Sequence, residues 1–291
     1  MRNFATDNLQ IMFRPFSLNI NGCLKEYNRP QVMGIINVTP DSFYEGSRNI
    51  NCRDVATRVE RMLEEGVDFI DLGGYSSRPG GESVSIEEEL NRVKIGLSAI
   101  RSVSRDIPVS VDTFRSEVAR RSIVEWGADI INDISGGDLD TEMFDTISTL
   151  GVPYIMMHMR GCPENMQTFT DYNDVTSDVA LELSLKLQRL RLLGVSDVII
   201  DPGFGFSKTL EQNYDLLRHL DVFTEAFDEP VLVGVSRKSM IYKALEISAD
   251  EALNGTTVLN TISLVGGASF LRVHDVKEAV EAVKLYTKLN F

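Results

Sequence analysis

Eight times along this chain a short apolar run ends in polar or glycine residues, gives way to an amphipathic helical pattern, and starts again. The runs are VMGIINV (32–38), FIDLGG (69–74), PVSVDT (108–113), DIINDIS (129–135), PYIMMHM (153–159), DVIIDPG (197–203), PVLVGVS (230–236) and FLRVHD (270–275). Helical periodicity fills the gaps at about 52–65, 86–103, 115–126, 140–150, 174–193, 209–220, 250–265 and 275–288. Short runs that are nearly continuously apolar suit parallel strands covered on both faces. Eight such units in 291 residues predict a (β/α)8 TIM barrel. A doubly wound open sheet is the alternative, but it needs a glycine-rich phosphate turn after its first strand, and NVTPDS is not one. No linker or composition shift divides the chain, so residues 32–291 read as one barrel domain. Ahead of it, FSLNINGCLKEY (16–27) alternates about Asn21-Gly22, a strong two-residue hairpin signal. Residues 1–31 are therefore expected to form a loose arm and a β-hairpin that covers the barrel's bottom.

Composition narrows the function class. A net charge of −14 disfavours non-specific nucleic-acid binding, and an anionic ligand would need a local cluster of Arg, Lys and His. No apolar run approaches membrane-spanning length, and MRNFATDNLQ lacks an apolar signal core. The expected location is the cytoplasm, with no membrane partner. Cys23, Cys52 and Cys162 are odd in number and scattered, which reads as free thiols and neither a disulfide frame nor a zinc site.

Polar residues near the ends of strands covered on both faces need a reason. Every run here has one: Asn37, Asp71, Asp112, Asn132, His158, Asp201, Ser236 and the pair Arg272/His274. Strand parity sends Val109 and Val111 toward the helices, and Ser110 and Asp112 toward the barrel axis. By the same rule Leu271 and Val273 face out while Arg272 and His274 point in, and Asn132 and Asp201 join Ile130 and Ile199 on the axis side. Each polar group alone could be a satisfied buried residue or a helix cap. Together at the C-terminal mouth, Asp112, Asn132 and Asp201 suit a donor-rich heterocycle, and Arg272 with His274 suits an anion. Asp71, two residues deeper, reads as structural, orienting the second loop. His158 stays open, and His219 reads as a surface residue.

The densest stretch is DVIIDPGFGFSKT (197–209), which delivers Asp201 to a strand end and hangs Phe204 and Phe206 beside it. Three loops add chemistry. NVTPDSFYEGS (37–47) has the length and composition of a mobile lid. GGYSSRPGGES (73–83) carries Arg78 among flexible residues and could fold over a phosphate. SRKSMI (236–241) sets Arg237 and Lys238 directly after the seventh run. Lys238 could serve as a Schiff-base nucleophile or as a charged hydrogen-bond donor, whereas Arg237 suits the surface.

In this order and spacing, NVTPDSF, SSRPG, VDT, IND, DPGFGF, GVSRKS and RVHDV resemble the dihydropteroate synthases, from residue 32 to about 275. The resemblance implies condensation of 6-hydroxymethyl-7,8-dihydropterin diphosphate with 4-aminobenzoate, giving 7,8-dihydropteroate and diphosphate in folate biosynthesis. It implies that Asp112, Asn132, Asp201 and Lys238 hold the pterin, with Met157, Phe206 and Gly234 lining its slot. Asn37 would bind Mg²⁺, and Ser77, Arg78, Arg272 and His274 would hold the diphosphate. Phe43, Pro79 and Ser239 would shape the 4-aminobenzoate pocket. Asp112, Lys238, Asn37, Arg272 and His274 would carry the catalytic work. A homodimer through the last helices, near Leu264 and Val265, is also implied. The second loop departs from the family's GESTRPG, with Tyr75 for Glu and Ser77 for Thr, and SFYEGS replaces a run of smaller and acidic residues in the first. Two rivals share a pterin slot: a methyltetrahydrofolate:corrinoid methyltransferase, which needs no diphosphate clamp, and a non-catalytic pterin-binding paralogue.

Overall fold

Alternation along each strand decides which side chains meet, and the computed structural model shows the result for residues 13–38, 52–75 and 84–290. A hairpin of β1 (Phe16–Ile20) and β2 (Cys23–Tyr27) comes first. Its turn residues Asn21 and Gly22 both have positive φ, 52° and 78°, as a two-residue turn matching strand twist requires. The barrel strands are β3 (Gln31–Asn37), β4 (Phe69–Gly73), β5 (Val109–Asp112), β6 (Ile130–Asp133), β7 (Tyr154–Met157), β8 (Val198–Asp201), β9 (Leu232–Val233) and β10 (Phe270–Val273). All pair in parallel in the order β8-β7-β6-β5-β4-β3-β10-β9. A parallel bridge between Ile200 and Val231 joins the two ends of the sheet, so this is the (β/α)8 barrel that the repeat predicts.

The helices are α1 (Cys52–Glu65), α2 (Ile86–Val103), α3 (Ser116–Val124), α4 (Met143–Leu150), α5 (Val175–Leu192), α6 (Leu210–Arg218), α7 (Asp221–Ala226), α8 (Ser239–Leu245), α9 (Leu253–Val265) and α10 (Val276–Asn290). The short α7 and α8 lie outside the eight periodic stretches, because six or seven residues carry too few turns to show a period. The seventh run also forms less strand than its apolar length suggests, since β9 stops after Val233 and Gly234 follows without extending the ladder.

Two apolar layers follow from parity. Val32, Ile36, Ile70, Leu72, Val109, Val111, Ile131, Tyr154, Met156, Leu271 and Val273 face outward and pack in one cluster with the helices. The inward set Met33, Phe69, Ile130, Ile155, Ile199, Leu232 and Phe270 fills the lower axis together with Leu18 and Ile20 of the hairpin. The Phe69 ring lies 5.6 Å from that of Tyr27 and 5.2 Å from that of Phe270. The hairpin therefore stoppers the N-terminal end of the barrel, and polar chemistry is left to the other end. Truncation of the fully buried ring in Phe69→Ala is expected to cost about 3–5 kcal/mol; urea unfolding against wild type checks it.

Candidate active site

One level above that apolar plug the inward positions turn polar. Asp71 of β4, Asn132 of β6 and Arg272 of β10 meet there, with Asp112 at the end of β5. Arg272 Nε donates to Asp71 Oδ2 at 2.6 Å, and its Nη2 donates to Asp112 Oδ2 at 2.8 Å. Asn132 Nδ2 donates to the same Asp71 oxygen at 3.1 Å. Asp71 is fully buried and points to the axis, because β4 alternates Phe69, Asp71 and Gly73 inward. Its partners correct the expectation that it orients the second loop: it holds Arg272 and Asn132. Nη1 of Arg272 has no hydrogen bond to any described residue. His274 sits two residues higher, its Nδ1 3.1 Å from Ser236 Oγ.

Three oxygens in this layer find no partner among the described residues: Asp71 Oδ1, Asn132 Oδ1 and Ser110 Oγ, all buried. Buried acceptors left unmade are costly, so this is where a donor-rich ligand gains most. Asp201, ending β8, faces the same space; its Oδ1 accepts the Gly203 amide at 2.8 Å. Lys238 reaches in from the turn after β9 and donates to the Phe204 carbonyl, its Nζ 4.7 Å above the Phe206 ring. Gly234 lies between these groups: a Cβ there would be 3.8 Å from that of Arg272 and 3.9 Å from Lys238 Nζ. Met157 is buried in a cluster with Ile134, Met159 and Met166, and Phe206 packs against it. Burial raises Asp201, with Lys238 pulling the other way. Burial also raises Asp112 to about 7 against the pull of Arg272, with Asp71 adding to the rise. It lowers Lys238 to about 8, opposed by Asp201. Arg272 is raised despite its burial, because Asp71 and Asp112 together outweigh that cost.

Asn37 ends β3 in the same register row as Gly73 and Asp112, and a Cβ on Gly73 would stand 3.0 Å from its Oδ1. Among the described residues no three His, Cys, Asp or Glu side chains converge as a metal cage. One amide oxygen at an open mouth fits a Mg²⁺ held mainly by substrate phosphates and water, the usual way that ion is bound. Ser239 opens α8 beside Lys238. Phe43, Ser77, Arg78 and Pro79 lie outside the described residues. Arg237 is no free surface group: in a left-handed turn (φ 54°) it makes paired bonds to Asp275 at 2.9 and 2.8 Å. Tyr75 packs edge-on to Phe114 at 5.1 Å, with Arg115 over its ring. A cavity of about 700 Å³ lies on the opposite side of the barrel, lined by Phe13, Arg14, Asp228 and Pro230 among others, and shares no residue with this group.

Residues 33–274 match the family profile described as pterin binding enzyme. The chain is 41% identical over 260 residues to a dihydropteroate synthase of Synechocystis, covering 88% of this chain and 89% of that one. It is 39% identical over 268 residues to that of Escherichia coli, covering 91% and 93%. The chain belongs to the dihydropteroate synthase family. Among solved structures, the Yersinia pestis dihydropteroate synthase with a sulfonamide superposes with a TM-score of 0.87 at 38% identity, covering 94% of this chain and 98% of that one. The Xanthomonas albilineans dihydropteroate synthase in complex with 7,8-dihydropteroate does so at 0.83 and 34%, with the same coverages. As a member of this family the chain is a transferase of folate biosynthesis. Among the described residues no helix is long and apolar enough to cross a membrane.

One buried group behind the site was not legible in sequence. Lys208 is 3% exposed, its Nζ 3.1 Å from His158 Nδ1, and His158 Nε2 lies 3.0 Å from Glu182 Oε2 on α5. Burial, and then the Lys208 charge, lower His158 to about 3 from an ordinary 6.5. Between those values the unfolded chain binds the proton and the folded chain does not, so stability falls as pH falls. His158→Gln should remove this dependence: between pH 6 and 4, wild type is expected to lose about 1.4 kcal/mol more per pH unit than the variant, measured by urea unfolding.

Proposed function

We propose that the chain condenses 6-hydroxymethyl-7,8-dihydropterin diphosphate with 4-aminobenzoate to give 7,8-dihydropteroate and diphosphate. The observation that carries this reading is the Asp201 carboxylate at a strand end, facing a buried layer whose acceptors lack partners. Asp201 accepts the paired N–H groups of the aminopyrimidinone ring, and a carboxylate does this in a bidentate way that a hydroxyl cannot match. Asn132 meets the same ring, Lys238 donates to its carbonyl edge, and Met157, Phe206 and Gly234 bound the slot.

The C–O bond to diphosphate breaks first, leaving a resonance-stabilised pterin-methyl cation that the Asp112 carboxylate faces and stabilises. Arg272 through Nη1, with His274, Ser77 and Arg78, receives the leaving phosphate oxygens. Asn37 would hold a Mg²⁺ at this mouth, which would supply positive charge against the growing anion. The neutral arylamine, in a pocket shaped by Phe43, Pro79 and Ser239, attacks the cation and loses a proton to solvent. No strong base is required, because its ammonium product is acidic. Lys238 acts as a donor and forms no Schiff base, so borohydride trapping is expected to recover no reduced lysine adduct.

The working unit is proposed to be a cytoplasmic homodimer. Val258, Ile262 and Val265 of α9 are 41–48% exposed at helical spacing and would form the contact. Leu264 is fully buried and turns into the core, because it lies on the opposite face of that helix; this corrects its expected place in the interface. Sedimentation velocity of Ile262→Asp is expected to show the monomer.

Purified protein with dihydropterin diphosphate, 4-aminobenzoate and Mg²⁺ is expected to form dihydropteroate and free diphosphate in step, and to lose activity on chelation. Pterin binding without product, joined to methyl transfer onto a corrinoid, would replace this reading with the methyltransferase. Binding with neither activity would leave a silent paralogue. Asp201→Ala should lower pterin affinity at least a hundredfold, since two charge-assisted hydrogen bonds are worth about 1.5–3 kcal/mol each. Unchanged affinity in calorimetry would remove Asp201 from the site.

A further inference from the structure

The turn between Asp201 and α6 is an improbable piece of backbone. Gly203, Gly205 and Ser207 all have positive φ, 75°, 82° and 48°, a region that side chains other than glycine rarely adopt. At Gly203 a Cβ would lie 1.9 Å from the His158 carbonyl oxygen, so the turn presses directly on the strand-end residue of its neighbour. The stretch makes one backbone hydrogen bond of its own, from the Phe206 amide to the Gly203 carbonyl at 3.2 Å, and two lysines grip its carbonyls. Lys238 takes that of Phe204. Lys208 takes those of Gly203 and Phe206, both at 3.0 Å. The third bond of Lys208 goes to His158 Nδ1 at 3.1 Å.

We propose that Lys208 is a positioning residue of the pterin slot, setting the turn that presents Asp201 and Phe206 and giving Asp201 a cation it keeps when the ring is bound. The proposal rests on the pterin reading above. Three acceptors surround Nζ, and an ammonium has three N–H groups, so the charged form satisfies the site completely while a neutral amine would leave one acceptor unmade. His158 must accept through Nδ1 and therefore carries its proton on Nε2, which donates to Glu182. Glu182 is paired in turn with Arg160. The Arg160 backbone amide donates to Ser207 Oγ at 3.0 Å and the Tyr172 hydroxyl lies 3.3 Å from it, so the chain of contacts returns to the turn it began on. Asn213 closes the other side, accepting from the Gly205 amide at 2.6 Å.

The charges that face Asp201 are those of Lys238, Arg272 and Lys208. Lys238 and Arg272 project into the slot, where a ligand meets them. Lys208 lies behind the turn, 3% exposed, facing Asp201, Lys238, Glu182 and Arg160. Burial lowers Lys208 to about 7, with Asp201 pulling the other way; below that pH its charge stays on the protein side of Asp201 whatever fills the slot.

The test is a fluorescence titration with 6-hydroxymethylpterin from pH 5 to 8.5, on wild type and on Lys208→Met, which keeps length and removes the charge and donors. The expected result is a tenfold or larger rise in the pterin Kd, with the acid limb of binding moved to higher pH because Asp201 protonates more readily. At saturating pterin diphosphate, the KM for 4-aminobenzoate is expected to stay within twofold. In Lys208→Ala, added propylammonium is expected to restore part of the affinity. A variant with pterin affinity within twofold of wild type and an unmoved acid limb, whatever its melting temperature, overturns the proposal. Should Lys208→Met not fold, the same titration on His158→Gln decides: a threefold or larger loss supports the proposal and an unchanged Kd overturns it. Failure of wild type itself to bind the pterin overturns the underlying reading and this proposal with it, and needs no variant to be recognised.

Discussion

The mouth of this barrel is organised about one guanidinium shared by two carboxylates. Arg272, Asp71 and Asp112 come from β10, β4 and β5, which with β3 form four adjacent strands. A buried ion cluster of this kind is a poor source of net stability, because desolvation offsets much of its Coulomb gain, yet losing one member strands the others in low dielectric. Its value here lies in arrangement. The cation lets two acids sit near each other one level above an apolar plug, keeps Asp112 available at the rim, and holds Asp71 where it orders Asn132. Asp201 and Lys238 repeat the theme across the axis, with a charge of each sign set beside the Phe206 ring.

Parity made much of this legible in the amino-acid order. Once the short runs are read as strands, the period of two leaves no choice about Ser110, Asp112, Asn132, Asp201 and Arg272, and the two apolar layers confirm each of them on the axis side. What parity cannot supply is reach. A long arginine chooses its partners across three strands, so Arg272 was legible as inward but not as the counterion of Asp71.

Lys208 shows where sequence reading stops. It stands beside Thr209, the cap of α6, where a lysine ordinarily extends into water. Only the packing of α5 and β7 against the turn encloses it, and those partners lie 26 to 50 positions away. The unexplained His158 at a strand end was the one local hint that a buried donor must be close. Arg237 was misjudged for the same reason, since its Asp275 partner is 38 residues on. Short helices such as α7 and α8 escaped because they hold too few turns to be periodic.

The hairpin stopper carries a consequence for traffic. With Leu18, Ile20 and Tyr27 seated among the lower axial side chains, the described residues close the lower end of the chamber. On the proposed reading, the pterin in the deeper seat would arrive first and leave only after the outer seat is empty. A catalyst working in this way would take its order of binding from the architecture of the barrel. It also makes a joined product, filling both seats at once, the natural plug of its own exit.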